Sequence, residues 1–320
     1  MENMKTGQAV IVKHTGSHYL LSQLPTWKVF SAVIRGKLRL QTSRATNPVA
    51  VGDRVKYEVS LDESGQIKDD AAITEVLSRK NYLIRKATNL SRQSHVIAAN
   101  IDMAYLLVTL DFPKTKWPFI DRFLVTCEAY NIPIKILMNK IDLYSNDERE
   151  GIDYFENIYR GAGYIIEEIS TWKNIGIDKI REEIHQDNKL CLFSGVSGVG
   201  KSSLIKALDP SLDPVIGKMS LSHMQGKHTT TFYEMHPLSG GGYIIDTPGI
   251  RGFGLYDLKS ERISTYFPEM LRYMDNCKYM PCTHTHEPGC AVKKALKEGL
   301  ISAERYNSYL GMLEDEKKYR

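Results

Sequence analysis

The chain has 320 residues, 42% of them hydrophobic and 25% charged, which is the balance of a globular protein with room for two or three cores. Its 42 Lys and Arg against 38 Asp and Glu leave a net charge of only +4, so bulk charge neither demands nor forbids a nucleic-acid partner. No apolar run approaches the roughly 20 residues of a membrane-spanning helix, and the N-terminal "MENMKTGQAVIVKH" lacks the apolar centre of a secretory signal, so a cytoplasmic protein with no membrane partner is expected.

In chain order, the first region reads as β-structure. "QAVIVKH", "VFSAVIRGKLRL", "RVKYEVS" and "AAITEVL" are rich in Val, Ile and Tyr, and "HTGSH", "VGD" and "DESG" break them with turn residues. Four or five short strands without an intervening helix predict a small closed barrel of the OB-fold type over residues 1–77. From Asn100 the pattern alternates. "MAYLLVTL", "PIKILMN", "YIIEEIS" and "KLCLFSG" are buried-strand runs, while "FIDRFLVTCEAY", "DYFENIYRGAG" and "IDKIREEIHQ" carry helical spacing. Such alternation predicts a mostly parallel sheet covered on both faces, here over residues 78–255. Residues 256–320 are helical in "SERISTYFPEML" and "AVKKALKEGLISAERYNSYLGMLEDEKKY", with a cysteine-rich loop between. The expected architecture is therefore multidomain α/β.

The phosphate-loop pattern GxxxxGK[ST] is matched in full by Gly195, Val196, Ser197, Gly198, Val199, Gly200, Lys201 and Ser202, and Ser203 opens the helical run "SLIKAL". The glycines let backbone N–H groups turn toward phosphate oxygens. Lys201 can neutralise the β and γ oxygens, and the Ser202 hydroxyl can ligate Mg²⁺. An ordinary glycine turn would not need a strand before it and a helix after it. Downstream, "GGYIIDTPGI" ends a strand at Asp246, whose carboxylate can hold Mg²⁺ through water, and the Gly249 N–H can sense a γ-phosphate. Between the two lies "MQGKHTTTFYEM", which reads as a switch loop in which Thr229 or Thr230 completes the Mg²⁺ shell.

Upstream, "NKID" supplies Asn139, Lys140, Ile141 and Asp142 after a buried strand. An Asp carboxylate accepts from guanine N1–H and the exocyclic amine, whereas adenine presents an acceptor there, so Asp142 selects GTP over ATP. Asn139 can contact the opposite edge and brace the phosphate loop, the Lys140 stem can lie over the purine, and Ser170 after the next strand offers a second base contact. The order is thus base motif, phosphate loop, switch and "DTPG": a circular permutation of a GTPase domain, tolerable where ancestral termini lie close together. Ile250 occupies the position after "DxxG" where a Gln would orient water, so slow intrinsic hydrolysis is expected. His228 is the candidate to position that water, the alternative being that it only caps a turn.

Of the five cysteines, Cys127 and Cys191 sit in apolar surroundings, while Cys277, Cys282 and Cys290 cluster with His284 and His286. Three thiolates and one imidazole suit a tetrahedral Zn²⁺, with His284 or His286 as the fourth ligand. Four protein ligands leave no open position, which favours one structural zinc over a zinc hydrolase.

The permuted order, "GVSGVGKSS", "GKHTTT", "DTPGIRGFGL" and C-x4-C-x-H-x5-C followed by "AVKKALKEGLISAERYNSY" together resemble the ribosome small-subunit-dependent GTPase family RsgA, the YjeQ/YloQ-like permuted GTPases. "VAVGDRVKYEV" and "LDFPKTKWPFIDRFL" extend the similarity over nearly the whole chain. The resemblance implies an OB-fold, a permuted GTPase domain binding GTP and GDP with Mg²⁺, and a zinc domain. It also implies a monomeric late maturation factor that binds rRNA of the small ribosomal subunit and leaves on subunit-stimulated hydrolysis, with the histidine matching His228 implicated in that step. Lys227 stands where Arg is more usual. Within the barrel region Lys13, Arg35, Lys37, Arg39 and Arg44 could form a phosphate-binding face with Tyr19 or Trp27 for stacking, though a solvated surface accounts for each equally well. The alternative function is a nucleotide-gated RNA-binding module in which hydrolysis is incidental.

Overall fold

The computed structural model describes residues 3–15, 18–34, 49–86, 94–212, 233–246 and 260–318, except positions 63, 65, 66, 68, 146 and 147. In chain order the first strands are β1 (Asn3–Thr15), β2 (His18–Gln23), β3 (Lys28–Ile34), β4 (Arg54–Leu61), β5 (Ala71–Val76), β6 (Tyr82–Lys86), β7 (Ser94–Ala99) and β8 (Met103–Val108). Helix α1 (Trp117–Ala129), β9 (Ile134–Met138), α2 (Arg149–Ala162), β10 (Ile165–Glu168), α3 (Ile177–Gln186), β11 (Leu190–Ser194) and α4 (Lys201–Leu208) follow. The last elements are β12 (Glu234–Pro237), β13 (Tyr243–Asp246), α5 (Pro268–Met274), α6 (Ala291–Lys297) and α7 (Ala303–Lys318). These gather into two compact units, residues 1–103, 182–193 and 211–248, and residues 104–181, 194–210 and 249–320.

In the first unit, β1 pairs antiparallel with β2 and β4, β2 with β3, and β4 with β5, and the parallel pair β3–β5 closes the ring. Closure leaves no open edge, so five short strands suffice. Alternation fills the interior: Val55, Tyr57 and Val59 of β4 point in beside Ile11, Leu21 and Ile73, while Arg54 and Lys56 face out. The "VGD" turn is built by position. Gly52 has φ +88°, and a Cβ there would lie 2.1 Å from the Ala99 carbonyl oxygen. Asp53, wholly buried, accepts from the Ala50 N–H at 2.8 Å and takes two bonds of 2.7 Å from Arg79. β6 and β7 form an antiparallel pair that the pattern reading leaves unassigned. In the same unit β11 runs parallel to β13, β12 runs antiparallel to β13, and Lys13 of β1 pairs with Glu234 of β12.

In the second unit β8, β9 and β10 form a parallel ladder with Ala104 opposite Ile134 and Ile165 opposite Lys135. Residues Ala104 to Val108 are completely buried, as a strand covered on both faces must be. Helix α2 buries Ile152, Phe155, Tyr159 and Ala162 at three- and four-residue spacing and stops at Gly163, φ +111°, whose N–H returns to the Tyr159 and Arg160 carbonyls. The C-terminal helical run is split at Gly299, φ +73°, into α6 and α7. Arg305 of α7 is 1% exposed. It bonds Asp121 of α1 at 2.8 Å and Glu269 of α5 at 2.6 Å, and its guanidinium carbon lies 4.6 Å from the Phe267 ring centre. Burial pulls the Asp121 carboxyl upward while Arg305 opposes it.

Candidate functional site

The phosphate loop joins β11 to α4 with the glycine geometry the motif requires. Gly195, Gly198 and Gly200 have φ +149°, +82° and +107°. A Cβ at Gly195 would meet the Leu107 carbonyl oxygen at 2.6 Å, and one at Gly200 would meet Asn139 Nδ2 at 2.3 Å. Lys201 Nζ donates to the Gly195 and Val196 carbonyls at 2.7 and 3.0 Å, and burial pushes its ammonium below the ordinary range. Incoming phosphate oxygens would reverse that shift by supplying negative charge. Ser197 and Ser202 are exposed beside it, as is Ser203, while Val199 is buried.

Asn139 is fully buried at the end of β9 and joins the two motifs. Its Nδ2 donates to the Val199 carbonyl at 2.8 Å, and its Oδ1 accepts from the Thr171 N–H at 3.2 Å. Lys140, at φ +65°, donates to the Gly198 carbonyl at 2.8 Å and to the Phe112 carbonyl. Ile141 and Asp142 lie in a 3₁₀ turn. The buried Ser170 hydroxyl donates to the Asp142 carboxylate and accepts from the Lys173 N–H at 3.0 Å. A carboxylate so held keeps lone pairs for two further bonds, the number a guanine edge requires. The residue-type reading missed Thr171, Phe112 and Tyr144, since two of these act through backbone atoms that no motif records.

Asp246 ends β13, its backbone opposite Glu234. His228, Thr229, Thr230, Gly249 and Ile250 lie outside the described residues, as do Arg35, Lys37, Arg39 and Arg44. One aromatic candidate of the barrel is corrected: Tyr19 is 5% exposed because strand alternation turns it into the core, while Trp27 is half-buried and stacks on Tyr243 with ring centres 5.6 Å apart. Lys13 is engaged by Glu234 at 2.7 Å.

Cys277, Cys282, His284 and Cys290 are all buried, with their ligand atoms within 4.8 Å of one another. Cys277 Sγ lies 3.9 Å from Cys290 Sγ, and His284 Nδ1 lies 3.6 and 3.4 Å from those two sulfurs. A tetrahedral ion with metal–sulfur bonds of about 2.3 Å and a metal–nitrogen bond of about 2.0 Å needs separations of about 3.8 and 3.5 Å. The donor set therefore fits a metal ion. His286 is exposed and bonds Thr285 Oγ1 at 2.9 Å, so of the two histidines the structure turns His284 inward. Burial pushes the Cys282 thiol up to about 12 and lowers His284, and a cation among the ligands favours the thiolates instead. The loop is braced by Tyr306 and Tyr309, whose hydroxyls donate to the His284 and Thr283 carbonyls at 2.6 Å. The Lys293 N–H at the start of α6 donates to Cys290 Sγ at 3.4 Å. Cys127 and Cys191 are buried apart from this cluster, and burial raises both thiols.

The family model for the RsgA GTPase matches residues 76–256. The chain belongs to the RsgA GTPase family. It is 49% identical to a small ribosomal subunit biogenesis GTPase RsgA of Bacteroides fragilis (strain YCH46) over 98% of this chain and 99% of that one. Among solved structures it is similar to YjeQ from Thermotoga maritima, with a TM-score of 0.76, 31% identity, and 97% and 98% of the two chains covered. YloQ, described as a circularly permuted GTPase, gives a TM-score of 0.73 at 26% identity over 99% and 96%. The fold is accordingly a barrel, a circularly permuted GTPase core and a C-terminal helical part carrying the Cys₃His cluster.

Proposed function

We propose that the chain is a GTP hydrolase that acts late in maturation of the small ribosomal subunit. The observation that carries the reading is the Asn139 side chain, which ties the base motif to a phosphate loop 60 positions later, the reverse of the ordinary order. Family membership and the name of the Bacteroides relative support the ribosomal assignment. In this reading residues 1–77 form an rRNA-binding barrel, residues 78–255 the GTPase domain and residues 256–320 a zinc domain.

Asp142 accepts from the guanine edge, Ser170 holds that carboxylate, Asn139 serves the opposite edge, and Ile141 keeps the turn between them. Residues 195–203 wrap the phosphates, with Lys201 against the β and γ oxygens. Ser202 and either Thr229 or Thr230 would hold Mg²⁺, with Asp246 acting through water and the Gly249 N–H on the γ-phosphate; the ion would supply charge neutralisation at the phosphate oxygens. Because the Ile250 side chain has no polar atom, His228 positions the attacking water, and the small subunit completes the site. Hydrolysis then releases a monomeric, cytoplasmic factor. Cys277, Cys282, His284 and Cys290 hold one structural Zn²⁺.

The test is GTP turnover by the full chain with and without small ribosomal subunits, with ATP and large subunits as controls. Stimulation by small subunits alone, with ATP inert, is expected. Turnover indifferent to ribosomal particles would remove the maturation role. Release from the particle that His228→Ala leaves unchanged would favour a nucleotide-gated binding module instead.

A further inference from the structure

The base motif is bolted to a loop that none of the nucleotide motifs includes. Residues 109–115 follow β8 and pass beside both the base motif and the phosphate loop: the Phe112 carbonyl accepts from Lys140 Nζ, and Pro113 lies 3.5 Å from the Cβ position of Gly198. Lys140 and Phe112 both sit in the left-handed region, at φ +65° and +59°, and Phe112 is 67% exposed. Bulky side chains hold that conformation only where the surroundings over-determine it, and such positions concentrate at functional sites.

Three groups over-determine the loop. Thr109 Oγ1 donates to the Pro113 carbonyl at 2.6 Å, and the Thr109 N–H donates to Thr115 Oγ1 at 3.1 Å. The Tyr144 hydroxyl accepts from the N–H groups of Leu110 and Asp111 at 2.9 and 3.1 Å. Tyr144 belongs to the same segment as Lys140, so the arrangement is a closed circuit. One end of that segment reaches the Phe112 carbonyl through the lysine, and the other fixes the two N–H groups just before it through the phenol.

We propose that Tyr144 is a positioning residue for base binding: by shaping residues 110–112 it sets the carbonyl that, with Gly198, pins the Lys140 ammonium and turns the lysine stem into a fixed wall for the purine. This rests on reading residues 139–142 as the guanine-binding segment. A lysine held at both carbonyls loses its rotamer freedom before the nucleotide arrives, so binding does not have to order it. Lys140 also reaches the phosphate loop at Gly198, but among the described residues the Tyr144 hydroxyl touches only Leu110 and Asp111, so its loss is expected to weaken base binding more than phosphate binding.

The test uses Tyr144→Phe in the full chain, which keeps the ring and removes only the oxygen. GDP affinity is expected to fall about tenfold, with KM for GTP rising by the same factor and kcat changing by less than twofold. Affinity for inorganic tripolyphosphate, which engages the phosphate loop alone, stays as in the parent. Thr109→Val, isosteric and lacking the hydroxyl, should reproduce the pattern, and in a Lys140→Met background Tyr144→Phe should cost nothing more. Unchanged GDP binding, an equal loss for tripolyphosphate, or fully additive losses with Lys140→Met would each overturn the proposal. Parent protein that binds ADP as tightly as GDP would instead remove the guanine reading on which it rests.

Discussion

The barrel and the C-terminal helical part are both small, yet they are held by different physics. The barrel closes its hydrogen-bond ladder on itself and fills the interior with Ile11, Leu21, Val55 and Ile73, and the wholly buried charge of Asp53 sits in a turn. Among the described residues the C-terminal part has no ladder. Its core mixes Phe267, Met270 and Tyr309 with three buried cysteines, and it is joined to α1 through the buried Arg305. A closed ladder satisfies its own backbone, whereas the loop between Cys277 and Cys290 is held by the Lys278 N–H to Gly289 carbonyl bond and by side chains, with a Cys₃His cluster that could bind a cross-linking ion.

The sharpest way to break this contrast is metal removal. Structural zinc contributes about 10–16 kcal/mol in finger peptides, so Cys282→Ser or chelation should unfold residues 277–313. The expected result is lost hydrogen-exchange protection there, with the barrel amides unchanged. Equal protection before and after chelation would mean that packing alone holds the loop. Next in size is Arg305→Met, which leaves Asp121 and Glu269 buried without their partner and should cost about 3–5 kcal/mol in denaturant titration. A cost under about 1 kcal/mol would show the network to be dispensable. In the barrel, Asp53→Asn keeps the shape but removes the charge facing Arg79, for an expected loss of about 1–3 kcal/mol read as a lower midpoint of barrel unfolding.

The smallest effect is the pH response of β12. Burial lowers His236 from its ordinary 6.5, with Glu234 opposing and Lys13 adding to the shift. The neutral ring is the native form, so its contribution is complete above pH 6.5 and is lost as the pH falls through the lowered folded value. His236→Gln should flatten the stability profile in that window, and an unchanged slope would assign the acid response to other groups.

Much of this was legible before the fold was known, for physical reasons that differ by element. "IDKIREEIHQ" gives α3 to the residue, because its amphipathic spacing contains no breaker. The phosphate loop was legible because its tight turn needs glycine where Gly195 and Gly200 stand: a Cβ there would meet the Leu107 carbonyl oxygen and Asn139 Nδ2. Tyr19 misled because an aromatic in a short strand faces core or solvent according to register, which composition does not fix. Arg305 stayed hidden in the charged run "AERYNSYLGMLEDEKK", since burial by partners from distant segments leaves no local pattern. Tyr144 was hidden for a related reason: its partners are backbone groups of Leu110 and Asp111, which side-chain type does not mark.

Asp142→Asn tests the permuted nucleotide site most directly. An amide in place of the carboxylate loses one acceptor for the guanine edge and gains a donor matched to the 2-oxo group of xanthine. Competition binding should show GDP weakened by about 10²-fold or more and xanthosine diphosphate rising to become the preferred ligand. GDP bound as tightly as by the parent, with xanthosine diphosphate still excluded, would mean that residues 139–142 do not read the base.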